Sequence, residues 1–137
     1  MKLFLVPLLI VMVTTLAAYG QKKNNRADVH SFGNSDEVII KHLALDLSVS
    51  FEKKVLSGSA ILTLNHKKKT SKLILDTRDL TIDKVTLDEK ETPTTFTLGE
   101  EVKFLGKPLT IAITPKTKSV KIYYSTSPSA SALQWLE

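Results

Sequence analysis

The sequence predicts an all-β protein, a mostly antiparallel sandwich, and three observations carry that expectation. Apolar residues recur at every second position over several stretches, the spacing that puts alternate side chains on opposite faces of a strand. β-branched residues dominate those stretches, and turn signals separate them at intervals of about 8–12 residues. No window has a helical period, and there is no internal repeat or low-complexity tract.

The organising stretch is Lys41–Leu64, KHLALDLSVSFEKKVLSGSAILTL. Leu43, Leu45, Leu47, Val49 and Phe51 alternate with Ala44, Asp46, Ser48 and Ser50. After the charged bend Glu52-Lys53-Lys54, Ala60, Leu62 and Leu64 alternate with Ser59, Ile61 and Thr63. A long hairpin with one apolar face is expected, and such a face calls for a covering layer. Val38-Ile39-Ile40 either opens the first strand or packs beside it. Beyond the polar loop at 65–71, Leu73-Ile74-Leu75 reads as a short strand in a sheet interior. Asp76-Thr77-Arg78-Asp79 turns the chain, and Leu80–Leu87 forms the next strand. Its alternation breaks between Ile82 and Val85, where one extra residue suggests a bulge. Asp88–Glu91 is a charged tip, and Thr94–Leu98 is extended. Val102 and Phe104 alternate, and Gly106-Lys107-Pro108 is a turn. Leu109, Ile111 and Ile113 line one face before Pro115 stops the strand. In the last strand Val120, Ile122 and Tyr124 oppose Lys121 and Tyr123.

The first residues have a different composition. Met1-Lys2, an apolar run from Leu3 to Leu16, and the small residues around Tyr19 follow the plan of a secretory signal peptide, with cleavage after Gly20. The run is broken by Pro7 and falls short of the roughly 20 apolar residues that span a bilayer, which favours a leader over an anchor. The expected organisation is therefore a signal peptide at 1–20, a flexible polar lead-in at 21–37 and one β-domain at 38–137, in a secreted or periplasmic protein. With no cysteine in 137 residues, there is no disulfide framework and no lipoprotein anchor. The net charge of +5 falls to +4 once Lys2 leaves with the leader. That excess is spread over KK, KKK and single lysines without an aromatic-rich basic face, so nucleic acid is not an expected partner.

Reactive groups are few. His30, His42 and His66 fall on the lead-in, a strand start and a loop, and none has an HExxH context. Asp76 and Asp79 could be paired acids, but capping of their turn is the simpler role. Asp88-Glu89 and Glu100-Glu101 sit at tips, where solvated charge is expected. No serine lies in a nucleophile elbow, and Gly33, Gly58, Gly99 and Gly106 are isolated rather than grouped in a phosphate loop. Tyr123-Tyr124 and Trp135 could form a sugar- or partner-binding platform or, as such rings more often do, pack inside.

The strings HLALDLSVSFEKKVLSGSAILTL, LILDTRDLTIDKV and YYSTSPSASALQWLE together resemble the N-terminal domain of zinc aminopeptidases of the aminopeptidase N family. LDTRDLTI and SALQWL point to the leukotriene A(4) hydrolase-like branch, and the likeness runs from His42 to Glu137. The resemblance implies a saddle-like β-sandwich, incomplete at its C-terminal end, that packs against a thermolysin-like catalytic domain. In the family that catalytic domain carries the zinc ligands and a GxMEN loop. None of those motifs is present, so no catalytic, cofactor-binding or metal residue is expected in this chain, and zinc belongs to the absent part. Gln134 belongs to the ALQW string and is distinct from the family's substrate-holding glutamine. The expected role is a non-catalytic domain of a secreted zinc aminopeptidase, inactive alone. The alternative is a free-standing secreted binding module. An uncovered sheet edge would invite self-association.

Overall fold

The computed structural model describes residues 28–136. Eight strands follow one another: β1 (Val38–Ser50), β2 (Val55–His66), β3 (Lys72–Thr77), β4 (Leu80–Leu87), β5 (Thr92–Pro93), β6 (Phe96–Leu98), β7 (Lys107–Ala112) and β8 (Ser119–Thr126). They build two antiparallel sheets, one of five strands in the order β1-β2-β8-β4-β5 and one of three in the order β3-β7-β6. The architecture is all-β, as expected.

Residues paired directly across strands share a sheet face, so the register defines rows of side chains. One row is Leu43, Leu62, Val120 and Leu87; the next is Leu45, Ala60, Ile122 and Val85. Both rows face the small sheet, whose Leu73, Leu109 and Ile111 complete the core with Val85 and Val120. The alternating Leu109, Ile111 and Ile113 are all buried. The expected bulge in β4 is present, with the register shifting between Ile82 and Lys84 so that Asp83 is the extra residue. A second shift, between Ile40 and His42, sets Lys41 apart in β1.

Gly58 is where the hairpin strands come closest. Its φ of +150° is foreign to residues with side chains, and a Cβ there would lie 2.1 Å from the Asp46 carbonyl oxygen. Only glycine lets β1 and β2 meet at this point.

The structure corrects several expectations. Leu73-Ile74-Leu75 lies at a sheet edge rather than in its interior, although Leu73 is buried by the opposing sheet. Asn34 covers that edge: its side chain accepts from the Ile74 N–H at 2.9 Å and donates to the Lys72 carbonyl at 3.0 Å. The expected flexible lead-in is therefore anchored over Ser31–Glu37. Glu37 also accepts from the Thr70 hydroxyl at 2.8 Å. Residues 21–27 and the signal-peptide reading lie outside the described residues. Within the stretch expected to be extended at Thr94–Leu98, Phe96–Leu98 forms β6, and a separate short strand, β5, precedes it at Thr92–Pro93 in the other sheet. Phe104 is on a turn with φ of +69° and is exposed, so the Val102/Phe104 alternation does not make a strand. Lys107-Pro108 opens β7 instead of lying in a turn.

The hairpin's alternating apolar face forms, and the small sheet covers only part of it. Leu45 stays 56% exposed, while Ile122 in the same row is buried. A three-stranded layer is too narrow to reach β1.

Candidate functional site

Where the cover stops, an apolar groove of about 490 Å³ opens between the two sheets. Leu43 and Leu45 of β1 form one wall, Leu75 and Leu80 another, and Tyr124 and Leu133 line it further along. Burial raises the Tyr124 hydroxyl above the usual phenol range. The groove has charge only at its rim, from Asp76 and Arg78.

The rim is held by the turn between β3 and β4. Asp76 accepts from the Ser31 hydroxyl at 2.7 Å and the Phe32 N–H at 2.8 Å, which ties down the approach to β1. Asp79, in the left-handed region at φ of +56°, accepts from the Ser131 N–H at 3.0 Å through its carboxylate. Its carbonyl accepts from the Ser127 N–H at 3.1 Å. The Ser131 hydrogen bonds hold the Asp79 carboxyl below the usual range, with the nearby Arg78 charge adding to the effect. The Asp79 bonds keep Ala130 buried and lead Leu133 into the groove. These two acids are thus clasps for segments distant in sequence, rather than caps of their own turn.

The other polar candidates are dispersed. His30 and His42 are exposed, and His66 Nε2 is 2.8 Å from the Thr117 carbonyl. Among the described residues, no three His, Cys, Asp or Glu side chains gather at a spacing that would hold a metal ion. Asp88 accepts from the Lys118 and Ser119 N–H groups at 2.7 and 3.0 Å, fastening a loop. Glu100 and Glu101 are exposed, with Lys107 3.9 Å from Glu101.

The aromatic platform does not form. Tyr123 lies on the outer face, where Lys84 and Lys121 approach its ring at 4.4 and 4.9 Å. Its hydroxyl donates to Glu91 at 2.8 Å, and Lys121 binds the same carboxylate at 2.6 Å. Hydrogen bonds from Lys121 and Tyr123 pull the Glu91 carboxyl below its usual range, and the Glu91 bond raises Lys121. Trp135 meets Phe51 at the hairpin tip, edge to face, with centroids 6.0 Å apart. Sequence reasoning missed the groove, since no motif marks it. The only available signal was the oversized apolar face of the first hairpin.

The described residues form a two-sheet antiparallel β-domain with a half-covered apolar face. The model of the Peptidase M1 N-terminal domain family matches residues 39–133, and the chain belongs to that family. It is 40% identical over 116 residues to leukotriene A-4 hydrolase of Xenopus laevis, covering 80% of this chain and 19% of that protein. Leucine aminopeptidase 2 of Yarrowia lipolytica is 34% identical over 119 residues, covering 85% of this chain and 18% of that one. The solved structure of yeast LTA4 hydrolase with bestatin superposes with a TM-score of 0.69 at 28% identity, over 77% of this chain and 17% of that chain. An M1 zinc metallopeptidase from Deinococcus radiodurans shares the fold, with a TM-score of 0.51 at 16% identity. The chain spans about a fifth of the length of the relatives it matches. The residues described here do not fit the zinc of the wider family: His30, His42 and His66 lie on separate elements and no ligand set converges.

Proposed function

We propose that this chain acts as the non-catalytic N-terminal β-domain of a secreted zinc aminopeptidase, with the groove as the seat for the rest of the enzyme. The observation that carries the reading is the groove itself. It is an apolar surface continuous with the domain core, held open by the Asp76 and Asp79 clasps. Membership of the M1 N-terminal domain family supplies the context. Burying such a surface is favourable by about 25 cal/mol per Å² of apolar area, so it is suited to a permanent contact. The catalytic portion would bring the zinc, which activates water against the peptide bond beside a free N-terminus. This chain's own residues would shape and brace one wall.

Export rests on the leader-like composition of the first 20 residues, with the mature chain starting at Gln21. N-terminal sequencing of the exported protein tests that point, and an intact Met1 would overturn it. For the catalytic reading, the exported chain is supplied with zinc and assayed for aminoacyl-amide hydrolysis. No turnover above the metal blank is expected. Turnover abolished by a chelator would show that this chain carries a site of its own and would overturn the scaffold reading.

A further inference from the structure

The Ile113 N–H donates to the Ser71 carbonyl, so odd-numbered residues of β3 direct their backbone groups toward β7. Lys72, Ile74 and Asp76 therefore turn theirs outward, along the edge of the three-stranded sheet. Ser31–Glu37 follows that edge in one antiparallel register. The Ser31 hydroxyl and Phe32 N–H donate to the Asp76 carboxylate, and a Cβ on Gly33 would lie 3.7 Å from the Ile74 carbonyl oxygen. Asn34 bonds to Lys72 and Ile74, and Glu37 accepts from Thr70. Advancing along the segment thus retraces β3 step by step, as a paired strand would, but side chains make the bonds. The segment itself has no strand conformation.

We propose that Ser31–Glu37 is a surrogate strand that guards the β3 edge against strand addition, with Asn34 as the residue on which the guard depends. The Asn34 side-chain amide offers a carbonyl oxygen and an N–H group, like a peptide unit. Its Oδ1 accepts from the Ile74 N–H at 2.9 Å while its Nδ2 donates to the Lys72 carbonyl at 3.0 Å. Glu37 fixes which way round the amide sits, because an ionised carboxylate only accepts, and it accepts from Nδ2 at 3.0 Å. Left unsatisfied, the outward groups of a Leu-Ile-Leu strand are a template for another extended chain. Side chains that satisfy them end the sheet without presenting a new backbone ladder. The guard concerns an edge remote from the chemistry of the parent family and does not rest on the scaffold reading.

Amide hydrogen exchange tests the closure first. The Ile74 N–H, although turned away from β7, should exchange about as slowly as those of Leu73 and Leu75, which bond within the sheet. Exchange of Ile74 at the rate of an open amide would overturn the proposal without any variant. Asn34→Leu removes both bonds, and Asn34→Asp sets a carboxylate against the Lys72 carbonyl and the Glu37 carboxylate. Each should speed exchange at Ile74 about tenfold more than at Leu73 and Leu75. Equal acceleration at all three would make Asn34 a source of general stability only and would overturn the proposal. Guarding is read by sedimentation velocity over a concentration series. The Asn34→Leu chain should form larger species than the unsubstituted chain, and adding Ile74→Lys, a charge on the edge, should suppress them. Association equal in the two chains would overturn the guard, as would an increase that survives Ile74→Lys. If circular dichroism shows Asn34→Leu unfolded, Asn34→Asp takes its place in both comparisons.

Discussion

The two ends of one apolar face behave differently although the same alternation produces both. At the β8 end, Val120 and Ile122 are sealed by Leu109 and Ile111 of the small sheet. At the β1 end, Leu43, Leu45 and Val49 continue the face and remain about half exposed. A strand's pattern dictates which side chains share a face, while burial is decided by what lies opposite. Here the opposing layer is three strands wide and the sheet beneath it has five. The covered end contributes stability to the domain itself, whereas the uncovered end is apolar surface available to another partner.

The contrast is broken or confirmed most directly by truncating one residue at each end. Ile111, with no exposed surface, should cost about 2–5 kcal/mol when changed to Ala, from lost transfer energy and the cavity left behind. Leu45→Ala should cost less than about 1 kcal/mol, because much of its side chain already meets water. Urea unfolding of the two variants gives the comparison. Equal losses would mean that β1's face is covered in solution.

Gly58 sharpens the same comparison, since it governs how closely β1 lies against the covered region. Gly58→Ala should destabilise by about 1–3 kcal/mol, as the methyl group meets the Asp46 carbonyl and the backbone conformation is strained. The loss should appear as faster hydrogen exchange in β1 and β2, with β3 and β7 less affected. Uniform loosening of both sheets would show that the hairpin is not a separable unit.

Much of this fold was legible because strands are local. The bend at Glu52–Lys54, the bulge at Asp83 and the buried trio Leu109, Ile111 and Ile113 all follow from patterns a few residues long. Sheet membership was not legible. β2 pairs with β8 across some sixty residues of sequence, and the chain changes sheet between Pro93 and Phe96, decisions that depend on non-local packing. Leu73–Leu75 shows how such context misleads. An apolar triplet suits an interior strand, yet Asn34 makes it equally suitable at an edge by satisfying backbone groups there. The groove was invisible for the same reason: Leu45 and Leu62 are both strand leucines, and only the width of the opposing sheet separates their fates. Family resemblance located the domain, but the clasp roles of Asp76 and Asp79 depend on partners 44–52 residues away.

The smallest expected effect concerns the Asp79 clasp, which holds the exit segment beside the uncovered end. Its carboxyl is held below the usual aspartate range chiefly by the Ser131 hydrogen bonds. A carboxyl depressed in the folded state contributes stability that is present above its unfolded pKa and disappears as pH falls through the folded value. Acidification below the ordinary aspartate range should therefore release the 127–131 segment. Trp135, the only tryptophan in the chain, sits four residues beyond and packs against Phe51, so its fluorescence reports the release. Glu37 and Glu91 are also depressed, by hydrogen bonds from Thr70 and Lys121 respectively, and their protonation would add to any global acid unfolding. Asp79→Asn separates the contributions: the amide oxygen can still accept from Ser131 but does not titrate in this range. The variant should lose the Trp135 acid step while keeping any later change in far-ultraviolet circular dichroism. If the step persists unchanged in the variant, the exit segment is held by packing of Ala130 and Leu133 in the groove, and the uncovered end is sturdier than its exposure suggests.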